Sequence, residues 1–258
     1  MINFKNSKVL ICGAGGFIGG HLTKKLLDLG AVVTCVDIKP FQLWFQIFEN
    51  SKNLSLDLKE YSNCEKAIHE CEYVFNMACN MGGMGFIENN KAECMLSVLI
   101  NTNLLQVSKK YNVKKYFFSS SACVYNGDKQ NDTFIEGLKE TDAYPAMPED
   151  GYGWEKLFSE RMCRHFLEDF NLDISIARYH NVYGPNGTYD GGREKAPAAL
   201  CRKVIKIKRG IDNELEIWGD GQQTRSFLYI DDCIDGTIRL FSSNYNQPLN
   251  IGLSLIHI

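Results

Sequence analysis

Along most of the chain, short apolar runs alternate with longer stretches in which apolar positions recur every three or four residues. The short runs predict strands at 8–12, 32–37, 53–58, 73–78, 115–119 and 174–177, and the longer ones predict helices at 17–29, 60–70, 87–111 and 152–170. In the last helix Trp154, Leu157, Phe158, Met162 and Phe166 line one apolar face, which makes Trp154 and Phe158 expected core residues. Strand and helix in alternation mean right-handed crossovers and an α/β fold with a doubly wound parallel sheet. Past residue 183 the pattern weakens. GPNGTYDGG reads as a loop, followed by a basic helix over about 193–209, strands at 215–218 and 225–230, a helix from 231 and a strand at 249–252. The expected organisation is a sheet domain over 1–182, completed by parts of about 225–252. A smaller lobe over 183–224 interleaves with it.

Composition narrows the class without changing that picture. At 258 residues, 45% apolar and 23% charged, the chain is neither disordered nor coiled coil. A net charge of -3 argues against nucleic acid as a partner, and no apolar run reaches the ~20 residues of a membrane span. Residues 9–20 resemble a signal peptide, but five of those twelve are glycine, which suits a strand–turn–helix better. The ten cysteines never form a CxxC pair, so zinc spacing is absent and no metal is expected. Free thiols and a cytoplasmic location are the expectation.

Gly13-Ala-Gly-Gly16-Phe17-Ile18-Gly19 follows the first strand and opens the first helix. Glycines there permit a tight turn and close approach to a pyrophosphate, and the helix N-terminus offers amides to the phosphates. Asp37 ends the second strand, at about the spacing from which a carboxylate holds an adenosine ribose. Together these features indicate a Rossmann-type nucleotide site that prefers NAD to NADP, because a carboxylate repels the 2′-phosphate. A chance Asp at a structural turn is the alternative, and Lys39 weakens the NAD preference. Tyr152 and Lys156 stand at i and i+4 on a predicted helix, where an ammonium favours a phenolate. Ser121, just past the strand at 115–119, completes a Ser-Tyr-Lys set.

The glycine spacing and this triad resemble the short-chain dehydrogenase/reductases. MGGMGF at 81–86, SAC at 121–123, RYHNVYGP at 178–185, GGREKAP at 191–197 and GDGQQTR at 219–225 narrow the resemblance. They resemble the GDP-mannose 3,5-epimerase family, part of the extended, NAD-dependent epimerase/dehydratase group. The resemblance implies that Gly13, Gly16, Phe17, Ile18, Gly19, Asp37 and Asp57 hold NAD, with Tyr152 and Lys156 serving both cofactor and hydride transfer. It implies substrate contacts from Gly82, Ser121, Ala122, Cys123, Asn181, Glu194, Lys195, Ala196, Lys203, Gln223, Thr224 and Arg225. Cys123 and Lys195 match the epimerising acid/base pair. The implied partners are a nucleotide sugar, GDP-mannose in particular, and a second copy in a homodimer, with no nucleic acid or membrane.

The implied reaction oxidises carbon 4 through Tyr152, acidifies carbons 3 and 5, inverts them between Cys123 and Lys195, and reduces carbon 4 again. Blander readings stand beside it. Cys123 is also readable as an inert thiol, Lys195 as part of a surface ion-pair cluster, and His180 as a packed, hydrogen-bonded histidine. The five cations of 202–209 fit either a solvated face or a diphosphate clamp. Rival functions are a GDP-4-keto-6-deoxy-mannose epimerase–reductase, a nucleotide-sugar 4,6-dehydratase, and a non-catalytic dinucleotide binder. After Gly252 the sequence departs from the family pattern. The expectation there is an incomplete substrate lobe and a non-native tail over 253–258.

Overall fold

The computed structural model describes residues 2–130, 137–217 and 226–252. The first half runs β1 (Lys8–Cys12), α1 (Phe17–Asp28), β2 (Val32–Asp37), β3 (Lys52–Ser55), α2 (Tyr61–Ile68) and β4 (Tyr73–Asn76). Three helices follow, α3 (Met84–Asn89), α4 (Lys91–Met95) and α5 (Ser97–Lys110), before β5 (Lys115–Ser121), α6 (Tyr152–Phe170) and β6 (Asp173–Tyr179). The remainder is β7 (Asn181–Tyr183), α7 (Ala196–Lys208), β8 (Phe227–Tyr229), α8 (Ile230–Phe241) and β9 (Pro248–Ile251).

Seven strands form one parallel sheet in the order β3-β2-β1-β4-β5-β6-β9, which bears out the doubly wound α/β expectation. The order reverses between β1 and β4, so a crevice opens at their carboxyl ends. The central strands are buried on both faces. Val9, Ile11, Phe75 and Phe117 pack with Leu22, Leu26 and Phe241 of α1 and α8. Leu10, Val74, Tyr116 and Ile174 pack on the opposite face with Leu104, Leu105 and Cys163 of α5 and α6. Two-sided burial explains why these strands read as continuous apolar runs. Among the described residues no helix is long and apolar enough to cross a membrane. All ten cysteines are free, seven of them buried.

Several boundaries differ from expectation. The helix expected over 87–111 is divided into three, with Asn90 leaving the helical region (φ -133°, ψ 40°) between α3 and α4 and a second division at Leu96. The basic helix starts at Ala196, not 193, with Pro197 pre-set for a first turn. Residues 215–217 form no strand, and Trp218 lies outside the described residues. Strand β3 ends at Ser55, so Asp57 sits in the following loop. The parallel pair β7–β8 was not expected.

The largest correction concerns α6. Trp154 and Phe158 are 42% and 53% exposed, not core. The face turned to the sheet is instead Tyr152, Glu155, Lys156, Ser159, Glu160 and Cys163. Most of its polar groups are paired, with Glu155 Oε2 left without a hydrogen bond. Arg178 of β6 donates from Nε and Nη2 to the two Glu160 oxygens at 2.9 and 2.7 Å, and from Nη1 to the Glu140 carbonyl at 2.7 Å. Ser120 also donates to Glu160. Burial works against the Arg178 charge, but Glu160 and Tyr125 outweigh it and hold the guanidinium more firmly protonated than usual.

This pair yields a stability prediction. Arg178→Met strands a buried carboxylate and should cost about 3–5 kcal/mol in urea unfolding. Adding Glu160→Leu removes the orphaned charge and should recover most of the loss; a double variant no more stable than Arg178→Met would contradict this account.

Candidate active site

The glycine turn is shaped by contacts that only glycine allows. Gly13 has φ +78°, and a Cβ there would stand 2.9 Å from the Met77 carbonyl, so the turn presses against the end of β4. A Cβ on Gly19 would meet the Gly13 oxygen at 2.2 Å. Gly16 caps α1 without any side-chain hydrogen bond, which leaves the first-turn amides to an incoming acceptor. Asp37 is buried at the end of β2 and accepts the Lys39 amide at 3.0 Å. The cradle, the uncapped amides and the carboxylate fit the diphosphate and ribose of a dinucleotide. Asp57 accepts the Lys59 amide at 2.9 Å and lies 3.7 Å from its ammonium, so it is partly engaged locally.

A second group of residues gathers where β5 ends and α6 begins. Ser121 is the last residue of β5, and its Oγ accepts the Cys123 amide at 3.2 Å in the turn Ala122–Val124. Tyr152 and Lys156 open α6 and are both buried. Gly153 lets the helix seat against this turn, since a Cβ there would lie 2.4 Å from the Cys123 oxygen. Sequence reasoning missed Glu149, whose carboxylate receives the Gly151 and Gly153 amides at 3.1 and 2.8 Å and caps α6. An acidic residue just ahead of a predicted helix was the available signal.

Electrostatics departs from the simple tyrosine–lysine expectation. Burial pushes the Tyr152 phenol well above its usual value, Cys79 and Cys123 add to this, and a hydrogen bond with Ser121 pulls it back. Burial works against the Lys156 ammonium, but Cys79 and Glu155, whose Oε2 lies 3.6 Å away, hold its pKa above the ordinary range. Cys79, not singled out from the sequence, therefore belongs electrostatically to this group.

The third element is the loop 191–195. Gly191 and Gly192 take φ +88° and +81°, and the loop then docks on the segment after β4. Arg193 donates to Asn80 Oδ1 at 2.9 Å and to the Met81 carbonyl at 3.0 Å, and its guanidinium stacks 3.7 Å from the Phe86 ring centroid. The Gly83 amide bonds the Arg193 carbonyl at 3.1 Å, and a Cβ on Gly83 would stand 2.7 Å from the Glu194 oxygen. The next residue, Lys195, lies within electrostatic range of Cys123. Burial lowers its pKa, and Cys123 and Cys79 push it back up. In turn, burial raises the Cys123 pKa while Ser121 and Lys195 lower it. The net direction for Cys123 is upward, so the isolated chain holds a thiol there.

Other expected positions are placed as follows. Glu194 Oε1 accepts from Arg202 at 2.7 Å, with Glu194 Oε2 and Arg202 Nε buried and unpaired. Lys203 donates to the Glu216 carbonyl at 2.7 Å, so α7 is tied to its own following loop. Asn181 Nδ2 donates to the Ser226 carbonyl at 3.2 Å, and Gly82 abuts the Phe86 ring. Ala196 is exposed at the start of α7. His180 pairs with Asn250 at 3.4 Å and burial lowers its pKa, in keeping with the packed reading. Gln223, Thr224 and Arg225 lie outside the described residues.

Residues 9–252 match the model of the NAD dependent epimerase/dehydratase family. The chain belongs to this family. It is 43% identical over 249 residues to GDP-mannose 3,5-epimerase of Arabidopsis thaliana, covering 96% of this chain and 65% of that protein. The chain thus spans just under two thirds of the length of that relative. As a family member it superposes on UDP-glucose 4-epimerase of Thermotoga maritima, solved with UDP-glucose. That match has TM-score 0.82 and 26% identity over 95% of this chain and 76% of that one. It also superposes on UDP-glucuronic acid 4-epimerase of Bacillus cereus, solved with UDP-glucuronic acid and NAD. There the TM-score is 0.77, with 26% identity over 96% and 80% of the two chains.

The opposed shifts of Cys123 and Lys195 are open to titration. Alkylation of Cys123 by iodoacetamide, followed by peptide mapping, should be slow at neutral pH and accelerate only in the alkaline range. Lys195→Met removes a cation that favours the thiolate, so the profile should move to still higher pH. An unmoved profile would mean that the two groups do not interact.

Proposed function

We propose that this chain carries the catalytic centre of an NAD-dependent nucleotide-sugar epimerase acting on GDP-mannose at carbons 3 and 5. The observation that carries this reading is the docking of loop 191–195 onto the segment after β4, which leaves Lys195 within electrostatic range of Cys123. The 43% identity to GDP-mannose 3,5-epimerase supports the substrate assignment. In this reading residues 1–182, with parts of about 225–252, bind the dinucleotide, 183–224 contribute the sugar-nucleotide side, and the working unit is a homodimer.

NAD, when bound, supplies the hydride acceptor and donor for carbon 4. Tyr152 takes and returns the proton of the 4-hydroxyl, with Ser121 hydrogen-bonding the same oxygen. Lys156, buried and with its ammonium favoured, would orient the ribose and stabilise the phenolate that Tyr152 needs in order to accept that proton, against the burial that favours the phenol. A 4-ketone acidifies the hydrogens on its neighbouring carbons. Cys123 and Lys195 then work from opposite faces of the ring. Burial raises the pKa of the first and lowers that of the second, while each pulls the other back toward its charged form. A thiolate on one face and an ammonium on the other supply the base and the acid that inversion requires.

Two outcomes check the proposal. In calorimetric titration NAD should bind on the order of tenfold or more tightly than NADP, because Asp37 repels a 2′-phosphate. With GDP-mannose and NAD in deuterated water, the chain should exchange solvent deuterium into carbons 3 and 5, read by product NMR. Cys123→Ser should cut that exchange on the order of 10²–10⁴-fold, while NAD binding and hydride transfer at carbon 4 persist. Exchange at the wild-type rate in Cys123→Ser would make Cys123 an inert thiol. Consumption of NADPH by a 4-keto substrate would instead favour the epimerase–reductase.

A further inference from the structure

The glycine turn holds two glycines that neither the tight turn nor the phosphate approach demands, Gly15 and Gly20. Both are cleared for one segment. A Cβ on Gly15 would stand 2.6 Å from the Trp44 ring, and one on Gly20 would stand 2.9 Å from Gln46 Nε2. The segment 39–46, just past Asp37, is strapped to the turn at one atom: the Gly15 carbonyl accepts both Lys39 Nζ at 2.7 Å and the Phe45 amide at 3.1 Å. Trp44 Nε1 donates to the Lys39 carbonyl at 2.9 Å, and the Lys39 ammonium lies 4.7 Å from the Phe45 ring centroid. Trp44 is buried in this arrangement although its neighbours Leu43 and Phe45 are exposed.

This geometry resolves the conflict between Asp37 and Lys39. A lysine two residues past the ribose carboxylate is well placed to neutralise a 2′-phosphate, and its own amide already bonds the Asp37 side chain. Its ammonium is instead held on the Gly15 carbonyl of the glycine turn. We propose that segment 39–46 is a latch that sets dinucleotide selectivity, with Trp44 as the positioning residue that keeps Lys39 on the Gly15 carbonyl and leaves Asp37 facing the ribose alone. This rests on the dinucleotide reading of the glycine turn. The same latch stiffens that turn, so its loss weakens binding of either dinucleotide.

The test is calorimetric titration of NAD and of NADP into the wild-type chain, Trp44→Phe, Trp44→Ala, Lys39→Met and the double variant Trp44→Ala/Lys39→Met. Trp44→Ala should bind NAD on the order of tenfold more weakly and show a several-fold smaller preference for NAD over NADP, because the freed ammonium serves the 2′-phosphate. Trp44→Phe, which keeps the ring over Gly15, should retain the wild-type preference. The double variant should keep the weakened NAD affinity and regain the preference, a pattern that simple loosening of the fold does not produce. Lys39→Met alone should leave the preference unmoved, and this half-buried side chain can be changed even if Trp44→Ala fails to fold. A wider preference in Lys39→Met would show that Lys39 already reaches the 2′-position and would overturn the latch. An unchanged ratio in a folded Trp44→Ala would overturn it too. A wild-type chain that binds neither dinucleotide would overturn the underlying reading of the glycine turn as well.

Discussion

Helix α6 buries a polar face, and most of what is distinctive about the molecule depends on how that face is satisfied. Glu155, Lys156, Ser159 and Glu160 all lie against the sheet. Isolated charges in such surroundings cost several kcal/mol each unless they find partners. Glu160 finds Arg178 and Ser120, Glu155 finds Ser159 and Lys156, and Arg178 reaches on to the Glu140 carbonyl. Glu140 in turn receives the Asn250 amide at 2.9 Å, so the network ties the edge strand β9 to the centre of the sheet. Held this way, the first turn of α6 presents Tyr152 and Lys156 at a fixed height above the end of β5.

Close backbone approach is the second organising device. Gly153 seats α6 on the Cys123 carbonyl, Gly83 seats loop 191–195 on the segment after β4, and Gly13 seats the phosphate turn on the end of β4. Each contact brings together segments far apart in sequence, and each would be blocked by a single methyl group. The reactive groups sit on loops and helix ends, but those ends rest on the sheet through contacts that a side chain would disrupt.

The ten cysteines show how environment sorts one residue type into several roles. Cys12, Cys64 and Cys163 are buried among apolar neighbours, and burial pushes the Cys64 thiol up to about 12. Cys123 is raised by the same cause, yet Ser121 and Lys195 pull against it. Cys163 has such partners too, in Asn101 and Lys156, so what sets Cys123 apart is its place in the turn after β5, clustered with Tyr152.

The sequence by itself determined most strands of the main sheet, their parallel pairing and the glycine turn, because these follow from local rules: buried strands are continuously apolar, and tight phosphate turns need glycine. It also named Ser121, Tyr152 and Lys156, whose spacing along a strand end and a helix is enough to align them. The apolar spacing of 154–166 was right for Leu157, Met162 and Phe166, which pack inward, and misled for Trp154 and Phe158, which face outward. Helical periodicity identifies two faces, and which one is buried depends on partners such as Arg178 that lie elsewhere in the chain. Likewise the break at Asn90, the capping by Glu149, the involvement of Cys79 and the hold of Trp44 on Lys39 were decided only in three dimensions. Each depends on groups that folding brings close, and the energies of burial and charge pairing that fix them have no counterpart in the linear pattern.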